Sequence, residues 1–193
     1  MNTEALRGLA VLSVAYPLAP VRGDTPGGAE QVLLMLDAAL VGAGATSVVL
    51  ACRGSTPAGE LVRTEAFTGA LSDSARQRAR LNHRTAIDTV IASRRIDLVH
   101  MHGLDFDRYL PDQGVPVLVT LHLPPSWYSR EALFPRRLRT YLHCVSESQR
   151  RACPRGVRLL PTIENGVATA RLPFVENKKD HAAVLGRICP EKG

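Results

Sequence analysis

Short apolar runs alternate with helical patterns along most of the chain. The apolar runs, rich in Val, Leu and Ala, cover residues 9–15, 47–52, 97–102, 115–122 and 141–145. After the first run, apolar residues recur at the three-to-four-residue spacing of a helix, at Ala29, Val32, Leu33, Leu36 and Leu40. A longer helical pattern extends from about residue 72 to 94. This alternation predicts an α/β fold, a parallel sheet covered by helices on both faces.

The last part of the chain predicts a second unit. Two shorter apolar runs, 157–160 and 162–164, are followed by a polar segment at 176–180. Residues 182–186 then have the pattern of a new buried strand. We therefore expect one domain over residues 1–172, with 173–193 as a linker and the beginning of a second domain.

Composition is that of an ordinary globular protein, with 45% hydrophobic and 22% charged residues among 193. No apolar run approaches the roughly 20 residues that span a bilayer, and the first residues lack the pattern of a signal peptide. The four cysteines are scattered, so neither a disulfide framework nor a zinc site is expected. Reduced thiols in the cytoplasm are the simplest interpretation.

The chain has a net charge of +6, and much of the positive charge is in arginine clusters. Such an excess attracts nucleotide phosphates, acidic lipid headgroups or nucleic acid, although arginine-rich helix faces that are merely solvated are the simpler explanation. With 5% aromatic residues the chain offers few stacking side chains, so nucleic acid is not an expected partner.

Ligands of open parallel sheets bind at the carboxyl ends of the strands, so the residues after each apolar run are the first candidates. Pro26-Gly27-Gly28-Ala29-Glu30 lies between the first strand and the first helix. Glycines there let a phosphate approach the free N–H groups of the helix, but the same string also forms a plain turn. The dinucleotide fingerprint G-x-G-x-x-G is absent, which argues against a dehydrogenase.

Three histidines lie at or near strand ends. His100 and His102 point to the same side of a strand, where they could bind a metal or serve as hydrogen-bonded core residues. No acidic residue joins them in a known ligand spacing, which favours the core interpretation. His122 closes the next strand, where its ring could donate to a sugar hydroxyl or to a developing negative charge.

Arg187 and Lys192 flank a predicted strand-to-helix turn near residue 193. Two cations so close on one turn suit a diphosphate, which arginine can bind through two parallel hydrogen bonds.

The ordered set of motifs resembles the retaining glycosyltransferases of family 4, which have two facing Rossmann-like domains (the GT-B fold). The matching strings are residues 26–30, 97–103, 120–122, 145–148, 163–167 and 186–193. The resemblance implies a Rossmann-like open parallel sheet, helices on both faces, forming one lobe of a GT-B fold.

The resemblance also implies an activity: transfer of a sugar from a nucleoside-diphosphate sugar to an acceptor hydroxyl, with retention at the anomeric carbon. Gly27, Gly28, Arg187 and Lys192 would bind the donor diphosphate, and His122 would be the catalytic residue. The matching strings also make Glu30, His102 and Gly103 candidate substrate contacts. No metal or other cofactor is implied.

The acceptor is not specified by the resemblance and could be a sugar, a lipid or a small molecule. Some family members use a basic first domain to bind the membrane surface. By analogy, Arg136, Arg137 and Arg139 predict peripheral contact with anionic lipid at the inner face of the cytoplasmic membrane.

Two departures from the family pattern matter. The family's Glu-x7-Glu motif is absent, and Asn165-Gly166-Val167 continues without the usual acidic residue and phenylalanine. We therefore expect these 193 residues to have no transferase activity by themselves. Two alternatives stay open: a non-catalytic sugar- or partner-binding module derived from such an enzyme, and metal-dependent hydrolysis at His100 and His102.

Overall fold

A computed structural model describes residues 6–66, 72–112, 114–167, 176–177 and 180. Six strands form one sheet: β1 (Ala10–Val14), β2 (Thr46–Cys52), β3 (Glu60–Thr64), β4 (Leu98–Met101), β5 (Val117–Leu121) and β6 (Thr140–Cys144). All neighbouring strands pair in parallel, in the order β3-β2-β1-β4-β5-β6. The α/β, Rossmann-like prediction is confirmed.

Four α-helices accompany the sheet: α1 (Gly28–Gly42), α2 (Asp73–Ser93), α3 (Arg130–Leu133) and α4 (Glu147–Ala152). Two short 3-10 turns, Phe106–Arg108 and Pro125–Trp127, follow β4 and β5. Helix α2 begins where the sequence predicted, because the Ser72 hydroxyl accepts a hydrogen bond from the N–H of Ala75. No helix within the described ranges is long and apolar enough to cross a membrane.

Alternating residues of the strands divide the core between the two faces of the sheet. On one face, Leu12, Val14, Val48 and Leu50 pack with Ile87 of α2 in the larger cluster of buried side chains. On the other face, the smaller cluster joins Val49 and Ala51 of β2 to Leu33 of α1. The sheet is therefore covered on both faces, as near-continuous apolar strands require.

Strand β3 is a strand that the sequence pattern missed. It pairs with β2 at the edge of the sheet, and none of its five residues is buried. The expected runs at 157–160 and 162–164 do not form strands. Leu159 makes one isolated bridge to Leu142, and the N–H groups of Leu160 and Ile163 donate to carbonyls of β6 at 2.8 and 3.1 Å.

The predicted linker and second domain fall mostly on residues outside the described parts of the chain. Residues 182–186 lie outside the described residues, so the boundary near 172 and the second sheet stay predictions. Of the four cysteines, Cys52, Cys144 and Cys153 are free thiols, and Cys189 is also outside the described part.

A buried carboxylate fastens α1 to the connection between β2 and β3. Asp37 is fully buried and accepts hydrogen bonds from the Ser47 hydroxyl (2.6 Å) and from the N–H groups of Ala58 (2.6 Å) and Gly59 (3.1 Å). A Cβ at residue 59 would collide with the Ser47 carbonyl oxygen and lie 2.7 Å from the Asp37 carboxylate. Only glycine fits there, and β3 begins at the next residue.

Candidate functional site

The candidate residues for which the structure gives a position lie at the carboxyl edge of the sheet. The loop after β1 leads to Gly27, which precedes the first residue of α1, Gly28. His102 and Gly103 follow β4, and His122 follows β5. Since β1, β4 and β5 are adjacent and parallel, their ends meet at one crevice, beside the point where the strand order reverses.

His122 and His102 form a direct hydrogen-bonded pair. The Nδ1 atom of His102 lies 3.0 Å from Nε2 of His122, and the two rings are stacked with centroids 5.2 Å apart. The backbone N–H of His122 donates to the Tyr128 hydroxyl at 2.9 Å. Both the ring and the backbone of His122 are therefore held in place, and its Nδ1 atom is the ring nitrogen left for a substrate.

The protonation of this pair follows from its burial. Burial, with a smaller effect of His143, lowers the pKa of His122 to about 4, and burial together with the neighbouring histidines lowers the pKa of His102 well below its ordinary value. Both rings are thus neutral at pH 7, and one proton lies between the two bonded nitrogens.

The direction of that hydrogen bond follows from the other nitrogen of His102. His102 Nε2 is buried and has no hydrogen-bond partner in the described parts of the chain. An orphaned buried N–H is rarer than an orphaned acceptor, so we assign the hydrogen of His102 to Nδ1 and leave Nε2 unprotonated. His102 then donates to His122, and His122 presents a protonated Nδ1 to the crevice.

A second polar row crosses the neighbouring strands. Thr120 Oγ1 lies 2.7 Å from Nε2 of His100 and 2.7 Å from Nε2 of His143. His143 Nδ1 is 3.2 Å from the Cys144 carbonyl, which can only accept, so Nδ1 carries the hydrogen. Hence Thr120 donates to His143 and accepts from His100. The prediction that His100 is a hydrogen-bonded core residue is confirmed.

His100 and His102 do lie on the same side of β4, as the period of two predicts, with ring centroids 4.1 Å apart. Within the described ranges, no three His, Cys, Asp or Glu side chains are grouped so that they could hold a metal ion.

The N-terminus of α1 is open to a ligand on one side. No side chain caps the helix, and nothing lies within 4 Å of a Cβ built on Gly28. A Cβ on Gly27, in contrast, would overlap the Glu30 carboxylate, which lies against that residue. The first-turn N–H groups and the helix dipole favour an anion here, whereas the Glu30 charge opposes one in its present position.

Gly103 has a packing role that sequence did not reveal. A Cβ on this residue would overlap the hydroxyl of Tyr109, which is fully buried and donates to Asp105 at 3.1 Å. Glycine here lets the tyrosine ring pack against the turn that carries His102. Thr120, His143 and Tyr109 were all missed as site residues. A comparison of polar residues one position before the ends of β5 and β6 would have pointed to the first two.

Two predicted diphosphate ligands, Arg187 and Lys192, lie outside the described residues. Their proximity to the crevice stays a prediction.

The geometry agrees with a comparison against protein families. The family model described as Glycosyltransferase Family 4 matches residues 26–171, which is more than half of the chain. That range contains all the helices and strands of the described structure except β1. No curated protein matches the chain.

Proposed function

The chain belongs to glycosyltransferase family 4. We propose that it takes part in the transfer of a sugar from a nucleoside-diphosphate sugar to an acceptor hydroxyl, with retention at the anomeric carbon. In this proposal the sheet is the acceptor-side lobe of a GT-B enzyme. The observation that supports it most is the placement of His122, held by His102 with Nδ1 turned to the crevice, at the edge where α1 begins.

The residues at this edge have separable roles in the proposal. The diphosphate lies at the N-terminus of α1, where Gly27 and Gly28 allow close approach to the free N–H groups. Glu30 has to rotate away from Gly27 as the anion arrives, because like charges repel. The Nδ1–H of His122 donates to an oxygen on the reacting sugar or acceptor. Arg187 and Lys192 supply positive charge to the departing diphosphate.

The reaction balances without a further reactant. The bond between the anomeric carbon and the diphosphate oxygen breaks, and a bond to the acceptor oxygen forms. The acceptor hydroxyl proton passes to the departing diphosphate.

We also propose that the 193 residues alone transfer no sugar, because they contain no pair of glutamates separated by seven residues. The test compares the purified chain with a fusion that continues it into a family 4 donor-binding domain, supplied with labelled nucleotide sugars and a panel of acceptors. Transfer by the fusion and none by the chain alone is expected. Transfer by the chain alone would refute this second proposal.

His122→Ala in the fusion should lower kcat about 100-fold or more, the usual effect of losing one well-placed donor. Gln77→Ala, an exposed neutral change on α2, is the matched control and should leave kcat unchanged. A fusion that binds nucleotide sugar but transfers none would instead fit the non-catalytic binding module.

We further propose that the protein makes peripheral contact with anionic lipid at the cytoplasmic face of the membrane. Arg136 and Arg139 are exposed just before β6, and Arg137 is half-buried, donating to the carbonyls of Pro111 (2.7 Å) and Val115 (2.6 Å). Arg139 donates to the Gly114 carbonyl at 2.9 Å, so Arg136 is the one of these three arginines that has no partner in the described parts of the chain and is free to reach a surface. Co-sedimentation with phosphatidylglycerol vesicles, but not with phosphatidylcholine vesicles, is expected; equal sedimentation with both would refute the electrostatic contact.

A further inference from the structure

The short segment that carries His122 is held by side chains rather than by a neighbouring strand. Strand β5 pairs with β6 in parallel up to Leu121 and Cys144. The chain then leaves the sheet through His122 and Leu123, at the edge where the candidate site lies. Backbone polar groups that leave a sheet need other partners, so the position of the His122 ring depends on what those partners are.

Gln149 of α4 supplies partners on both sides of His122. Its Nε2 atom donates to the carbonyls of Leu121 at 2.8 Å and of Leu123 at 2.7 Å. Its Oε1 atom accepts from the N–H of Val145, directly after β6, at 2.8 Å. Both amide hydrogens and the amide oxygen are thus used. A flipped amide would turn its oxygen toward two carbonyls, so the hydrogen bonds fix the orientation of the side chain.

Tyr128 binds the N–H groups of the same segment. Its hydroxyl accepts from His122 at 2.9 Å and from Leu123 at 3.3 Å. Burial raises the pKa of Tyr128 to about 12, so the hydroxyl is neutral at pH 7. Four backbone groups of residues 121–123 are therefore bound by two side chains that come from different parts of the chain.

The sequence around Gln149 has the spacing of a capping box. In Ser146-Glu147-Ser148-Gln149 the Ser146 hydroxyl caps α4 by accepting from the N–H of Gln149 at 3.1 Å. In an ordinary capping box the fourth side chain bonds back to the N–H of the cap residue, which glutamate does as well as glutamine. Here the Gln149 oxygen bonds one residue earlier, and its NH₂ group reaches the loop after β5. A glutamate could not donate to that loop.

We infer that Gln149 is a positioning residue, which holds the loop that sets the His122 ring against His102 with Nδ1 turned to the crevice. The two rings are joined by one hydrogen bond of 3.0 Å. A displacement of about 0.6 Å would lengthen that bond beyond hydrogen-bonding range. The effect of Gln149 on the rate of sugar transfer rests on the proposed function, whereas its effect on the ring does not.

The first test is NMR of the ¹⁵N-labelled 193-residue chain as wild type, Gln149→Glu and Gln149→Met. Glutamate keeps the oxygen that accepts from Val145 and loses both donors, whereas methionine is of similar length and loses all three bonds. In both variants His122 should leave its wild-type tautomer and become a mixture. The N–H of Val145 should stay protected from exchange in Gln149→Glu and lose protection in Gln149→Met, which separates the donors from the acceptor.

The second test measures transfer by the fusion with a donor-binding domain. Gln149→Glu should lower kcat about tenfold and change KM for the nucleotide sugar by less than about twofold, since a misplacement of about 1 Å can cost a hundredfold in rate. A purely structural residue would lower the urea midpoint without moving the tautomer or kcat. Gln77→Glu, the same chemical change at an exposed position of α2, should match the wild type in both tests.

Three results would overturn the inference: an unchanged His122 tautomer in Gln149→Glu, an unchanged kcat of this variant in an active fusion, or unfolding of both Gln149 variants by circular dichroism. The last would give the residue a structural role only. The tautomer measurement needs no transfer. If the wild-type fusion transfers no sugar while the His122 tautomer depends on Gln149, the proposed function fails and the positioning of the ring stands.

Discussion

At the scale of single residues, the position of one proton decides what the crevice offers to a substrate. If His122 carries its hydrogen on Nδ1, it presents a donor; if it carries the hydrogen on Nε2, it presents a lone pair and could act only as an acceptor or base. The buried Nε2 of His102, which has no partner in the described parts of the chain, favours the first state. His102 is in this sense a positioning residue, because it acts on the substrate only through His122.

This tautomer is directly measurable. Long-range ¹H–¹⁵N spectra at pH 7 should show the hydrogen of both His102 and His122 on Nδ1. In His102→Phe, where a ring of similar size cannot donate, His122 should become a mixture of tautomers. Thr120→Val is the control, because it breaks the separate row between His100 and His143 and should leave the His122 signals unchanged. A wild-type His122 with its hydrogen on Nε2 would contradict the assignment.

At the scale of elements, sequence predicted the five strands that contain at least three consecutive buried residues. β1, β4 and β5 are central, so their residues are almost all apolar and stand out in the sequence. β3 is an edge strand with charged and half-exposed residues, Glu60 and Arg63 among them, and its pattern does not differ from that of a loop.

The site was partly predictable for a similar reason. The rule that ligands bind at strand ends placed His102 and His122 at one edge without knowledge of strand order. Their hydrogen bond was not predictable, because it depends on β4 and β5 being neighbours.

Asp37 shows how one carboxylate supports an element that the apolar pattern does not specify. We predict that Asp37→Ala destabilises the protein by about 3 kcal/mol, because three donors lose their acceptor inside the protein. Urea denaturation measures this. Spectral changes at Ala58 and Gly59 should accompany the loss, because their N–H groups are the freed donors.

The matched control is Asp88→Ala on α2. Asp88 accepts from Arg84 at 2.8 Å on an exposed helix face, where an ion pair contributes at most a fraction of a kcal/mol. Its free energy of unfolding should change by less than about 0.5 kcal/mol. Equal losses in the two variants would show that burial of Asp37 is not the cause.

At the scale of the whole molecule, the histidines couple stability to pH. His83, His100, His102, His122 and His143 all have pKa values lowered chiefly by burial, to about 4 for His83 and His122 and about 3 for His100. In the unfolded chain each would titrate near 6.5. As pH falls, the unfolded state therefore binds protons before the folded state does.

Because proton binding and folding are linked, these histidines make the protein less stable as the pH falls. The contribution of these histidines to stability is fully present above about pH 6.5 and is lost as the pH falls toward 4. Each histidine that protonates only on unfolding lowers the free energy of unfolding by about 1.4 kcal/mol per pH unit within that window. Several act together, so the loss should be steep well before most surface carboxylates are protonated.

We therefore predict that the urea midpoint falls sharply between pH 6.5 and 4.5 and is nearly constant from pH 7 to 8. His83→Leu removes one buried imidazole. The free energy of unfolding of this variant should therefore fall by about 1.4 kcal/mol per pH unit less than that of the wild type within the window. Gln77→Ala should reproduce the wild-type slope. A wild-type midpoint independent of pH across this window would mean that these imidazoles bind protons as readily in the folded protein as in the unfolded chain, which would contradict their lowered pKa values.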